Sequence, residues 1–390
     1  MKFRKFIVNL IVFFFLFLPL IMWGWWLLTP KKHLKVLIVD KTVLTPEGKE
    51  HRSFDWILKY KRYVKENGDF YTPEKDYMGF FPKDNKQYDI HDLKDFTEKQ
   101  IDSISNYYDM VYYTDTYGIY YNEWYLDTLE KELSRKVYGG LDENDYLLLK
   151  RMKERNKLVI GEFNLFASPS CGDLGKKVEK LYNLQWSGWS GRYFATLDTL
   201  KNPELPMWIV HYYKNQHNNQ WPFKKAGLVF VNVDAHIEVL EKERDLTFEG
   251  PIVNTFVFAQ EKYNLPDKIF YPFWFDITYS TDTTNEILAY YQLFPNSRGD
   301  SILKAYDIPT IFPVAYEHVG GYPFYYFCGD FCDHFAKFNF VQLKGIWYAQ
   351  IMLLENKLGA DGKYFFTKYY TPMVSRILQD YYKDRVQYRD

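Results

Sequence analysis

The chain has 390 residues, with 49 Lys and Arg against 50 Asp and Glu. That length allows one large domain or two ordinary ones, and a core that holds without staples. The balanced charge, with no block of one sign, excludes the basic face of a nucleic-acid binder, and three cysteines exclude a disulfide framework.

Residues 6–28 (FIVNLIVFFFLFLPLIMWGWWLL) carry no charge. As a helix they would measure about 34 Å, enough to cross a bilayer. Lys2, Arg4 and Lys5 precede the run, and Trp23, Trp25 and Trp26 stand at its far end. The pattern predicts an uncleaved transmembrane helix with a cytoplasmic N-terminus, because the stretch is long for a signal peptide and no small-residue cleavage site follows. On this expectation residues 1–30 are an anchor. Residues 31–390 then form a domain outside the cytoplasm, held to the cell membrane by a single pass.

Beyond it, residues 35–42 (KVLIVDKT) read as a buried parallel strand and 54–67 as a helix closed by Gly68. Residues 69–100 are a polar excursion. Strands are expected at 110–114 and 158–163, and helices at 143–156 and 173–182. The stretches 207–212, 227–233, 252–258, 269–278, 286–293 and 310–316 are strand-like, and helices over 338–358 and 371–382 close the chain. Alternation of strand and helix predicts an α/β fold, a mostly parallel sheet flanked by helices. The strand-rich middle adds an antiparallel extension. One elaborated domain is expected, with its core at about 35–260 and a C-terminal extension at about 261–390.

The order strand (KVLIVDKT), helix (SFDWILKYKRYVK), strand (MVYYTDTYG), helix, strand (LVIGEFNLF), helix resembles the class I glutamine amidotransferase-like fold, the group that includes the ThuA-like proteins. In the amidotransferases a G-x-C-x-G elbow presents the nucleophile. Here residues 163–172 (FNLFASPSCG) lack the leading glycine at that spacing, so the resemblance implies the fold and not glutaminase chemistry.

In an open parallel sheet ligands bind beyond the carboxyl ends of the strands. Asp40, Asp115, Glu162, Asp234, Asp276 and Glu317 fall at such ends, either as acid–base groups or as carboxylates that cap and tie loops. Glu162 and Asp276 interrupt apolar runs, where a carboxylate must be paired or have its pKa raised. With Glu317 and His318 they are the candidate catalytic residues. Asp115, Trp186, Trp189, Arg192 and Asp330 are the candidate ligand-binding residues, since indole faces stack on sugar rings. Cys171, between a strand and a helix, is a weaker nucleophile candidate. Cys328 and Cys332 are four residues apart and read as free thiols, one bridge or metal ligands. No metal-binding spacing and no cofactor motif is present.

Two functions follow from these residues: an enzyme acting on envelope or imported carbohydrate, or a catalytically silent binding or scaffolding module of the envelope. The expected partners are the membrane, through the N-terminal helix, and a carbohydrate, with no nucleic acid.

Overall fold

The computed structural model describes residue 13 and residues 17–126, 134–167, 170–333, 341–346 and 362–386. A ten-stranded sheet runs through the domain. Its strands are β1 (Val36–Asp40), β2 (Met78–Pro82), β3 (Tyr88–His91), β4 (Met110–Asp115), β5 (Leu158–Glu162), β9 (Ile252–Thr255), β10 (Lys268–Phe270), β12 (Asn285–Gln292), β13 (Ile311–His318) and β14 (Phe324–Phe327). A four-stranded sheet is formed by β6 (Leu184–Phe194), β7 (Gly227–Asn232), β8 (Ile237–Glu241) and β11 (Trp274–Ser280). The large sheet has the order β10-β9-β12-β13-β14-β5-β4-β1-β2-β3 and the small one β8-β7-β6-β11.

The sheet is α/β but mixed, rather than mostly parallel. β14, β5, β4, β1 and β2 are parallel neighbours. The pairings of β3, β13, β12, β9 and β10 are antiparallel. The parallel strands are the near-continuous apolar runs. VLIVD and LVIGE are buried at every position, as strands covered on both faces must be. Successive residues of β4 show the two covers. The Tyr112 ring meets Phe54 of α2 (Arg52–Tyr60) edge-on at 4.6 Å. Tyr113 donates to Asp145 of α4 (Glu143–Glu154) at 3.1 Å from the other face. Helices α3 (Glu98–Tyr107) and α5 (Asp173–Tyr182) pack beside α4, and α7 (Val257–Tyr263) and α9 (Thr371–Tyr381) form a group with α2. A capping box at Thr97 and Gln100 starts α3, and Asp142 caps α4 through the N–H groups of Asn144 and Asp145. Gly79 of β2 lies so near β1 that a Cβ would stand 1.6 Å from the Asp40 carbonyl oxygen, so only glycine fits there.

Three sequence expectations are corrected. Residues 207–212 are not a strand: Met207–Gln216 is helix α6, which buries Ile209, Val210 and Tyr213 with residues of the small sheet. Residues 269–278 are two strands, because the chain leaves the large sheet after Phe270 and enters the small one at Trp274.

The third correction is the transmembrane helix. Among the described residues no helix is long and apolar enough to cross a membrane; residues 6–12 and 14–16 of the expected span lie outside them. Helix α1 is described over residues 17–28, a stretch of about 18 Å. Its end is also folded onto the domain. Trp26 is buried, stacks on Phe70 at 5.4 Å and lies under the Arg62 guanidinium at 4.4 Å. The single-pass anchor, and the location outside the cytoplasm deduced from it, are withdrawn with the span. The expected helix at 338–358 falls mostly outside the described residues.

Candidate active site

Strand register aligns the carboxyl ends of the parallel strands. Asp40 pairs with Asp115, Tyr113 with Gly161, and Glu162 with Phe327. Asp40, Asp115 and Glu162 therefore end their strands side by side, and the turn after β14 adds Asp330 and Asp333. The segment after β1 returns Glu50 and His51 to the same edge, and β6 of the small sheet brings Arg192.

Each carboxyl is defined by its partners. Asp40 accepts from His51 Nδ1 at 2.7 Å and from the Thr42 N–H at 3.0 Å, while His51 Nε2 donates to the Pro73 carbonyl at 2.8 Å. Burial opposes charge on this imidazole, but the Asp40 carboxylate outweighs it and holds the His51 pKa up at about 9. His51 is thus an imidazolium at neutral pH, hydrogen-bonded to Asp40. Asp115 accepts from the Tyr117 N–H at 2.6 Å and Asn164 Nδ2 at 3.2 Å. Burial, with Asp40 adding, pushes it up to about 8. Burial also pushes Asp333 up to about 7, against the pull of Arg192. Asp330 is raised well above the usual range by burial and then by Asp333 and Asp115, and Glu50 by burial and then by Asp40 and Asp333. Glu50 Oε2 is buried without a hydrogen-bond partner. Arg192 and Lys49 both pull on Asp333, and His51 on Glu50. Arg192 pairs with Glu204 at 2.8 Å and lies over the Phe194 ring at 4.8 Å.

These carboxyls differ from a second acidic group at the same end. Asp92, Asp142 and Asp145 bring oxygens within 4.8 Å of one another, and the buried Lys41 ammonium fills the space between them at 3.2, 3.1 and 2.6 Å. There one ammonium is shared by three carboxyl groups, and the group is a clamp joining β1 to α4.

The sequence candidates separate into three sets. Asp115, Glu162, Asp276, Arg192 and Asp330 come to the carboxyl edge. Within that set Glu162 is sealed: it accepts from Tyr112 Oη and from the N–H groups of Phe331 and Cys332 at 2.9 and 3.0 Å. Asp276 is likewise committed, to Ser190 Oγ at 2.7 Å, Tyr326 Oη at 3.1 Å and the Asn164 N–H at 3.2 Å, and burial holds it at about 6. Glu317 and His318 lie at the opposite, amino edge, since His318 pairs with Phe324, which pairs with Val159 at the start of β5. Glu317 is occupied there by Lys262 at 2.5 Å, Tyr263 at 2.6 Å and Tyr325 at 2.8 Å. Trp186 and Trp189 are buried, the Trp186 indole donating to the Trp189 carbonyl at 2.9 Å, so neither offers an open face.

Burial raises the Cys171 pKa, which removes the basis for an activated thiolate. Cys328 and Cys332 are free and buried. Glu50 and His51 were not among the sequence candidates; their one signal is position, on the segment that follows the first strand of the sheet.

No protein-family model and no curated protein sequence matches the chain. Among solved structures it is similar to a protein from Bacteroides uniformis described as ThuA-like. The identity is 9%, with 80% of this chain and 88% of that chain covered and a TM-score of 0.36. No residue role is carried over from that likeness.

Proposed function

We propose that the domain is an enzyme using carboxyl acid–base chemistry on a neutral, polyhydroxylated substrate, a carbohydrate, at the carboxyl edge of β1, β4, β5 and β14. The observation that carries this reading is the convergence of Asp115, Asp330 and Asp333 around Asp40 at one sheet edge, with burial and Asp40 holding Asp115 at about 8 and Asp333 at about 7. A carboxyl with a pKa near neutrality both gives and takes a proton at working pH, which is what general acid–base catalysis needs. The substrate class rests on hydrogen bonding: burial and mutual proximity hold Glu50, Asp115 and Asp330 protonated, so the edge presents carboxyl donors and acceptors in place of net charge, which suits the hydroxyl groups of a neutral sugar. Hydroxyl groups can donate to the ionised carboxyls and accept from the protonated ones.

A screen of neutral oligosaccharides for release of reducing ends tests the reading, with Asp115→Asn and Asp333→Asn as controls. Turnover lost in both variants with unchanged circular dichroism supports it. Turnover that survives both removes these residues from the site.

A silent carbohydrate-binding module is the second reading. It is favoured by the internal commitment of Glu162, Asp276 and Glu317 and by the unactivated Cys171. Saturable glycan binding without turnover, weakened by the same two substitutions, would select it.

A further inference from the structure

At the amino edge, away from the carboxyl cluster, a cleft of about 390 Å³ opens between the end of α2, the end of α7 and the start of α9. Lys61, Lys262, Lys344, Arg376, Thr371 and Ser375 are on its wall, with Glu261 as the acid. Lys262 and Arg376 are neutralised, by Glu317 at 2.5 Å and Asp380 at 2.7 Å. Lys61 and Lys344 are not: among the described residues neither forms an ion pair. Their ammonium groups stand 5.7 and 5.9 Å from the centre of one ring, that of Tyr60. Burial, and then repulsion from Lys344 and Lys32, lowers the Lys61 pKa to about 8. Two like charges held half-buried around one ring are unfavourable unless a third body compensates them. The wall also holds two buried hydroxyls without a hydrogen-bond partner, Thr371 Oγ1 and Ser375 Oγ. They are one helical turn apart, on one face of α9. Buried polar groups are normally satisfied, so an orphaned pair beside unpaired cations marks a place for an acceptor-rich anion.

We propose that this cleft binds a phosphate group, with Lys61 and Lys344 as its counterions and the Thr371 and Ser375 hydroxyls as donors. A phosphate suits the wall better than a carboxylate because its charge approaches two and its oxygens accept from several donors at once. The site is separate from the carboxyl edge and does not rest on the enzymatic reading. Its phosphate is carried either by a soluble phosphorylated molecule or by a lipid headgroup.

The full chain is titrated with inorganic phosphate and with glycerol 3-phosphate by calorimetry at low ionic strength. In parallel it is sedimented with phosphatidylcholine vesicles, with and without phosphatidylglycerol. Lys61→Gln and Lys344→Gln remove like charges, so each is expected to fold with thermal stability equal to or above the parent. Each is expected to weaken binding tenfold or more, and Ser375→Ala a few-fold. Soluble-phosphate binding lost in the lysine variants assigns a soluble ligand. Phosphatidylglycerol-dependent sedimentation lost in the same variants, with no response to soluble phosphate, assigns a headgroup. Binding that survives both lysine substitutions, or none to either probe at millimolar concentration, overturns the proposal.

Discussion

Glu162 and Phe331 are joined by a hydrogen bond of 2.9 Å from the Phe331 N–H to the Glu162 carboxylate, and the next N–H, of Cys332, reaches the same oxygen at 3.0 Å. A sealed carboxyl at the end of β5 thereby sets the turn that carries Asp330 and Asp333. It acts on the site through the backbone.

Glu162→Ala leaves two buried N–H groups and Tyr112 Oη without this acceptor. It is expected to destabilise the domain by about 3 kcal/mol, since a buried donor left unpaired loses its full desolvation cost. Glu162→Gln keeps an oxygen for the two N–H groups and should lose less. Urea unfolding of both variants checks the order; equal losses would show that the turn does not depend on that oxygen.

Stability should fall as pH rises from about 4 to 9. Asp115 and Asp333 sit near 8 and 7 when folded against 3.8 when unfolded, so the folded state binds their protons more tightly. That contribution is full at low pH and is lost as pH climbs through the folded values. His51 has the same sign, held at about 9 against 6.5: its contribution is complete below 6.5 and disappears through 9. The melting temperature should therefore be higher at pH 5 than at pH 9, and His51→Gln should flatten the part of the curve above 6.5. A flat profile in the parent protein would contradict this account of the site.

Lys41→Ala should be among the most damaging substitutions, at about 3–5 kcal/mol, because it leaves three carboxylates facing one another without their cation. The variant should also gain a property. With the ammonium gone, oxygens within 4.8 Å of one another become a calcium-sized site. Millimolar calcium is expected to raise the melting temperature of Lys41→Ala by several degrees and to leave the parent unchanged. No calcium effect on a folded variant would mean that the carboxylates spread apart when the lysine is removed.

If the acid–base reading holds, kcat/KM follows a bell-shaped pH profile with limbs near 7 and 8, and Asp333→Asn removes one limb while lowering turnover at least a hundredfold. A profile with its limbs elsewhere would place the chemistry on other groups.

The parallel half of the sheet was legible in the sequence because burial on both faces demands unbroken apolar runs, and VLIVD, MVYYTD and LVIGE are such runs. Strand ends could be read from the polar residue that closes each run, so Asp40, Asp115 and Glu162 were identifiable as edge residues. Local pattern failed where a neighbour decides the state. Residues 207–212 have the apolar content of a strand, and they are a helix because a face of the small sheet was there to receive one. Residues 6–28 have the composition of a span, yet Trp26 is buried against Phe70 and Arg62 of the same chain.

What the sequence determined by itself is the class of fold and the chemical type of the groups at each strand end. Which of those groups meet was decided by the tertiary structure. Register and strand direction put Glu317 and His318 at one edge and Asp40, Asp115, Asp330 and Asp333 at the other, although Glu317 and Asp330 are close in the chain. Protonation was decided there too, since a carboxyl's pKa depends on burial and on charges brought from distant segments, and neither is a property of local sequence.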